Sequence, residues 1–269
     1  MLPNFLIVGA MKAATSTLRD VLNTHPDIYL APRELHYFID SGFERGLRWY
    51  EQQFEAAASA VAVGEKSPSY CYAPEAPCRI AATLPDVRLV FLLREPGARS
   101  YSNYWQRVAF GEEKKSFDAV IEAELSGNRR SIWSMYLKRS LYLEQVDRIL
   151  EQFPRGNVYL GLYEDFQREP HRMLAEICRF LGVRDDFSFD VERRSNVTSI
   201  PVSRKVARIT RRLLGEGAAA SAISRLNIRR RSGYPRMSPA TRERLDRYFA
   251  PFNEQLAKRT GLDLGVWRG

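Results

Sequence analysis

Cysteine is scarce in this 269-residue chain, and long apolar runs are missing. The three cysteines, Cys71, Cys78 and Cys178, are too few and too unevenly spaced for a disulfide framework, and none belongs to a C-x-x-C zinc pair. A membrane-spanning helix needs about 20 apolar residues, and no such run occurs. No basic segment precedes the apolar residues 5–8, as it would in a signal peptide. The sequence therefore predicts a cytoplasmic protein with no metal site.

Positive charge, in contrast, is in excess. Lysine and arginine total 41 against 32 acidic residues, which gives a formal charge of +9. This excess suits an anionic partner such as a nucleotide, a nucleic acid, an acidic glycan or an anionic lipid, although a solvated surface would carry the same charge. With 45% hydrophobic residues, no internal repeat and no Gly/Ser linker, residues 1–269 are expected to form a single domain.

Short apolar runs alternate with helical patterns along the chain. The predicted strands cover residues 5–8, 60–63, 87–93 and 157–162, and the predicted helices cover residues 17–22, 136–153 and 170–181. Such alternation is typical of βαβ units. It predicts an α/β fold with a central parallel sheet and helices on both faces.

Residues 190–236 differ in composition, because they are rich in arginine and poor in acids. Four arginines recur at helical spacing opposite four apolar residues: Arg204, Arg208, Arg211 and Arg212 against Val202, Val206, Ile209 and Leu213. This pattern predicts a mostly helical segment that covers the core. A plain covering helix, an acceptor-binding lid and a membrane-surface helix all fit it.

A loop of small, basic and hydroxyl residues follows the first strand. Gly9 permits a tight exit from the strand, and Lys12 supplies a positive charge. The rest of the loop consists of small side chains, which leave the backbone approachable, and hydroxyl side chains, which can donate to phosphate oxygens: Ala13, Ala14, Thr15, Ser16 and Thr17. A loop of this composition at the carboxyl end of a parallel strand predicts a P-loop-like phosphate site. The alternative is an ordinary connection to a helix capped by Thr15 or Ser16.

This loop does not follow the Walker A pattern, in which lysine directly precedes the magnesium-binding hydroxyl. Lys12 instead lies three residues after Gly9 and three before Thr15. No predicted strand ends in the aspartate that would hold magnesium, since the third ends at Arg94. A nucleotide bound without metal is favoured over a nucleotide kinase or NTPase.

Four blocks in this order carry a family resemblance: residues 8–18, 33–38, 64–70, and 93–96 with Arg99 and Ser102. Residues 139–142 and 163–166 extend it more weakly. The sequence resembles the sulfotransferases that use 3′-phosphoadenosine 5′-phosphosulfate (PAPS), particularly the heparan-sulfate branch and its bacterial relatives.

The resemblance implies roles for these residues in holding the donor and its product, 3′-phosphoadenosine 5′-phosphate (PAP). The first loop would hold the 5′-phosphosulfate, and Arg94 with Ser102 would bind the 3′-phosphate. A basic loop that closes over the 3′-phosphate in the relatives has its counterpart in Arg230, Arg231, Ser232 and Gly233, with Arg229 as an alternative arginine.

Sulfuryl transfer needs a base for the attacking hydroxyl and positive charge at the leaving oxygen. Glu34 is the candidate base, and His36, expected on the same side of an extended segment, either orients it or is itself the base. Lys66 would tune Glu34 or bind the sulfuryl group, and Lys12 would hold the bridging oxygen. The alternative for Lys66 is a structural pair with its neighbour Glu65.

The acceptor is expected to be a hydroxyl of a sugar, a glycolipid or a small natural product. A module that binds nucleic acid or anionic lipid is the rival outside enzymes. No nucleic-acid partner is predicted, whereas peripheral membrane contact and the oligomeric state stay open.

Overall fold

Five strands form the centre of the computed structural model, which describes residues 1–57, 59–128, 135–191 and 234–267. The strands are β1 (Phe5–Gly9), β2 (Ile28–Leu30), β3 (Ala62–Lys66), β4 (Arg88–Leu93) and β5 (Val158–Leu162). Their order in the sheet is β2-β3-β1-β4-β5, and every neighbouring pair is parallel. The predicted α/β class with a parallel sheet is confirmed.

Every residue of β1 and β3 is buried, as is all of β4 after Arg88. A strand whose two alternating sets of side chains are both buried is covered on both faces of the sheet. This burial includes two charged residues of β3, Glu65 and Lys66, with exposures of 0% and 2%. Buried charges require partners, so we expect polar or charged groups to contact these two residues at the end of β3.

Helices fill the connections: α1 (Thr15–Leu22), α2 (Leu47–Gln52), α3 (Ala76–Thr83), α4 (Pro96–Ala109), α5 (Phe117–Leu125), α6 (Tyr142–Leu150), α7 (Tyr163–Arg168), α8 (Pro170–Leu181) and α9 (Pro239–Thr260). Proline opens α4, α8 and α9, where its missing N–H costs nothing. A second apolar cluster, separate from the main core, joins α4, α5 and α9 through residues such as Val108, Val120 and Phe249.

One strand of the structure was not predicted, and a predicted strand and a predicted helix have clearly different bounds. The three-residue β2 was not predicted, and the strand expected at 60–63 is Ala62–Lys66. The helix expected at 136–153 covers only Tyr142–Leu150. Its first turns do not form, because the backbone N–H groups of Tyr136 and Lys138 donate to the carboxylate of Glu124 at 2.7 and 2.8 Å.

The basic segment predicted at 190–236 lies almost wholly outside the described residues. Within residues 1–57, 59–128, 135–191 and 234–267, no helix combines the length and hydrophobicity that crossing a membrane requires.

Candidate active site

The predicted site elements meet at one edge of the sheet. The loop from residue 10 to 14 follows β1, Lys66 is the last residue of β3, and Arg94 follows β4. Because these strands are neighbours and parallel, their carboxyl ends lie side by side. This edge is where open α/β sheets bind their ligands.

The loop after β1 has an unusual backbone and leads into a helix without a side-chain cap. Lys12 and Ala14 have positive φ angles of 76° and 59°, which are uncommon outside glycine. Ala14 occupies the N-cap position of α1, and no side chain caps it. The alternative of a helix capped by Thr15 or Ser16 is therefore not what forms. An uncapped helix N-terminus preceded by left-handed residues has backbone N–H groups that can bind an anion, as a nest does.

Glu34, His36, Lys66 and Ser16 form a continuous chain of contacts. The Nζ of Lys66 donates to Glu34 Oε1 at 2.5 Å and to Ser16 Oγ at 2.9 Å. The other carboxylate oxygen, Glu34 Oε2, lies 3.0 Å from His36 Nε2. Lys66 thus joins the candidate base to the phosphate loop. It forms no pair with its neighbour Glu65, which was the alternative role for this lysine.

The backbone at His36 is not the extended segment that was expected, since its φ is 50°. The imidazole reaches Glu34 nevertheless, and its Nδ1 is buried with no hydrogen-bond partner in the structure.

The surroundings of Glu34 keep it ionised. Burial would raise the pKa of Glu34, but the hydrogen bond from His36 and the charge and hydrogen bond of Lys66 outweigh it and lower the pKa to about 2. In this arrangement Glu34 is a carboxylate at any ordinary pH. Lys66 contacts one carboxylate oxygen and His36 the other, so Glu34 accepts a proton from another group only where that group replaces one of these two contacts.

Arg94 and Lys12 form the second half of the site. Arg94 Nη1 donates to the carbonyl oxygen of Lys12 at 2.8 Å, and its guanidinium lies 4.5 Å from the ring centroid of Tyr163. Its Nε is buried without a partner, and no salt bridge to Arg94 occurs among the described residues. Desolvation, Arg94 and Arg99 together lower the pKa of Lys12 to about 8. Three cations, Lys12, Arg94 and Arg99, thus lie close enough to affect one another, and such a cluster fits an anionic ligand.

The backbone of Arg94 is fixed by one hydroxyl. The Tyr142 hydroxyl donates to the carbonyl of Arg94 at 2.9 Å and lies 3.4 Å from its backbone nitrogen. Ser102 lies on α4, which starts two residues after Arg94, and is 3% exposed.

Residues 2–260 match the family model described as the sulfotransferase domain. The chain belongs to the sulfotransferase family. Human heparan sulfate glucosamine 3-O-sulfotransferase 6 is 30% identical over 98% of this chain and 73% of the relative. The crystal structure of a sulfotransferase from Alicyclobacillus acidocaldarius superposes with a TM-score of 0.77 at 28% identity, covering 100% of both chains.

A more distant neighbour has been crystallised with the product nucleotide. It is a mouse sulfotransferase complexed with PAP, with a TM-score of 0.51 at 14% identity over 93% of this chain and 83% of that one. At that identity the likeness concerns the fold. The expectation of a PAPS-dependent sulfotransferase is confirmed at the level of the family.

The sulfotransferase structure brings together most of the residues predicted for the site. Glu34, His36, Lys66 and Ser16 are in contact, and Arg94 contacts Lys12. The others lie along the phosphate loop and α1: Gly9, Ala13, Ala14, Thr15 and Thr17. The predicted 3′-phosphate residues Arg230, Arg231, Ser232 and Gly233 lie outside the described residues.

Sequence reasoning missed two groups that shape this site, Tyr142 and Glu65. Tyr142 appeared only as part of a weak block, since nothing in the sequence shows that its hydroxyl meets a strand end 48 residues away. Glu65 appeared only as a possible partner of Lys66.

Proposed function

We propose that this sulfotransferase moves the sulfuryl group of PAPS to a hydroxyl of a glucosamine-containing glycan, with Glu34 as general base. Sugars, glycolipids and small natural products all suit the sequence as acceptors. The names of the curated relatives favour a glycan, because they act on heparan sulfate glucosamine.

The observation that carries the proposal is the position of Lys66 between the phosphate loop and Glu34. An in-line transfer needs the base on the acceptor side and the cation at the group that is passed on. Lys66 Nζ touches Ser16 of the loop and Glu34 at the same time, so the two sides of the reaction meet at this ammonium.

Glu34 accepts the proton of the acceptor hydroxyl as that oxygen forms its bond to sulfur. The bond between sulfur and the bridging oxygen breaks, and PAP leaves with the electron pair. Lys12 and the N–H groups at the start of α1 stabilise the charge that develops on the leaving phosphate. His36, on the second oxygen of Glu34, orients the carboxylate; it is also the alternative base.

Arg94 and Ser102 are proposed to bind the 3′-phosphate, together with the segment 230–233. Tyr234 directly follows that segment, and its ring lies 5.4 Å from Tyr101 and stacks at 6.2 Å on Trp105. These two aromatics flank Ser102 on α4. Tyr234 thus packs against the part of α4 that carries Ser102, which supports the proposed shared role at one phosphate.

The first experiment is calorimetry with PAP in EDTA, with ATP as the control nucleotide. The proposal expects tight binding of PAP and none of ATP. Binding of ATP that depends on magnesium would instead support a nucleotide kinase or NTPase.

The second experiment measures transfer of radiolabelled sulfate from PAPS to heparan sulfate by the unaltered chain and by Glu34→Gln and His36→Ala. Removing the general base should lower turnover by about 10²–10⁴-fold while PAP affinity stays unchanged. Near-normal turnover of Glu34→Gln together with loss in His36→Ala would assign the base to His36 instead.

A cytoplasmic location, a single domain over the whole chain and contact with a membrane surface stay predictions of the sequence. Metal-independence also stays a prediction, and the EDTA experiment tests it.

A further inference from the structure

The segment that carries Glu34 and His36 has no regular secondary structure, yet its backbone is held at three of the residues from 35 to 38. The backbone N–H of His36 donates to Ser67 Oγ at 3.0 Å, and that of Phe38 lies 3.4 Å from the hydroxyl oxygen of Tyr70. The backbone N–H of Leu35 hydrogen-bonds to the carboxylate of Glu65. All three partners belong to β3 or to the turn directly after it.

Glu65 is the centre of these contacts. It is wholly buried, and three hydroxyls donate to it: Ser67 at 2.6 Å, Tyr70 at 2.6 Å and Tyr50 at 3.1 Å. With the N–H of Leu35 this makes four donors for one carboxylate, which is about the number of lone pairs that its two oxygens offer. A buried carboxylate whose lone pairs all accept hydrogen bonds stabilises one specific arrangement of the groups around it.

The direction of the hydrogen bonds follows from the carboxylate. Burial raises the pKa of Glu65, whereas the four hydrogen bonds that it accepts stabilise its ionised form. In that form the carboxylate can only accept, so the hydroxyls of Ser67 and Tyr70 donate to Glu65. Each hydroxyl then has its lone pairs turned outward, where they accept the N–H groups of His36 and Phe38. The charge of Glu65 thus sets the polarity of every contact that holds this segment.

The segment needs such support, because its backbone is strained. His36 has a φ of 50°, a left-handed conformation that costs free energy in a residue other than glycine. Such a residue persists only where its surroundings fix it. Removal of the contacts should let residues 34–38 relax and carry Glu34 away from Lys66.

We propose that Glu65 is a positioning residue for sulfuryl transfer, which acts through Ser67 and Tyr70 to hold Glu34 and His36 against Lys66. The inference rests on the proposed role of Glu34 as base. Glu65 itself faces neither the donor nor the acceptor, since it is enclosed by aromatic side chains: Tyr50, whose ring stacks on Tyr37 at 4.2 Å, and Tyr70.

Tyr70 and Tyr50 provide a matched pair of variants. Both tyrosines are buried and donate to the same oxygen of Glu65, but only Tyr70 also accepts from the backbone of the segment. Tyr70→Phe should lower kcat with PAPS and heparan sulfate by about 10–100-fold, because small displacements of a base are costly. Tyr50→Phe should lower it clearly less, and both variants should bind PAP as the unaltered chain does.

Hydrogen–deuterium exchange of residues 33–39 gives a readout that needs no acceptor. Tyr70→Phe and Glu65→Gln should exchange faster in this segment and Tyr50→Phe less so, while exchange in β1 and β4 stays unchanged. The exchange result stands even if heparan sulfate is not an acceptor, so the two proposals can fail separately.

Equal losses in Tyr70→Phe and Tyr50→Phe would overturn the inference, as would unchanged exchange in Glu65→Gln. A fall in PAP affinity of the same size as the fall in kcat would also overturn it, because that would mark a general structural role.

Discussion

Lys12 is a lysine whose charge depends on pH near neutrality. Its pKa is lowered to about 8 by desolvation and by the charges of Arg94 and Arg99. A lysine with a lowered pKa is charged below that pH and neutral above it. An anionic ligand favours the charged form and would raise the pKa again.

PAP should therefore bind more weakly as the pH rises from 7 to 9.5. Loss of one charged donor to phosphate should lower the affinity by about tenfold or more. Calorimetry across this range, in buffers of different ionisation enthalpy, should also detect proton uptake on binding around pH 8. The variant Lys12→Met should bind PAP more weakly at pH 7 and show no step; a step that persists there would assign the titration to another group.

The partners of Glu34 could be anticipated from residue types, whereas those of Glu65 could not. A carboxylate, an imidazole and an ammonium within recognisable blocks predict an ionic site, and the contacts among Glu34, His36 and Lys66 agree with it. Glu65 looks in the sequence like half of a charged pair. Its actual partners include Tyr70, in the turn directly after β3, and Tyr50, from a separate helix, and their approach depends on the folded chain.

At the scale of elements, apolar runs were enough to locate four of the five strands. All of β1 and all of β4 after Arg88 are buried, so the hydrophobic signal of these strands is strong. The strand β2 has three residues directly after a helix end and Pro26, which is too short for any periodicity to show. The bounds of α6 were wrong because a tertiary contact, from Glu124 to the N–H groups of Tyr136 and Lys138, competes with the helix.

The junction between β1 and the phosphate loop leaves no space for a side chain at Gly9. A Cβ there would lie 2.4 Å from Cys71 Sγ and 3.0 Å from a ring carbon of Phe91. Gly9→Ala should displace the start of the loop, weaken PAP binding and lower the free energy of unfolding by about 1–3 kcal/mol, as measured by calorimetry and chemical denaturation.

The double variant Gly9→Ala with Cys71→Ala tests the cause, since it removes the sulfur that the new methyl group meets. Part of the lost stability and affinity should return in the double variant. Cys71→Ala alone serves as the control, and purely additive losses would rule out the contact with Cys71 as the reason for glycine.

At the scale of the whole molecule, the C-terminal part of the chain braces the strand end that carries Arg94. Arg242 of α9 lies 3.1 Å from Glu95 Oε2, and Glu95 caps α4 by accepting from Gly97 and Ala98. The indole of Trp267 donates to Glu164, which accepts the backbone N–H of Glu95. Two C-terminal contacts thus converge on the residue next to Arg94.

Two arginines of α9, Arg242 and Arg244, make it possible to distinguish this support of the strand end from a general effect of surface charge. Arg242 pairs with the buried Glu95, whereas Arg244 pairs with Glu122, whose side chain is 62% exposed. Arg242→Ala would leave the buried carboxylate without its cation, so the free energy of unfolding should fall by about 1–3 kcal/mol. An exposed pair such as that of Arg244 contributes at most about 1 kcal/mol.

Arg242→Ala should also weaken PAP binding, because the turn from Arg94 into α4 loses one of its supports. Arg244→Ala, with the same change of charge on the same helix, should bind PAP normally. Denaturation curves and PAP calorimetry of both variants at two salt concentrations would separate the effects, since screening reduces only the contribution of the exposed pair. Equal behaviour of the two variants would mean that α9 contributes general positive charge and does not brace the phosphate site.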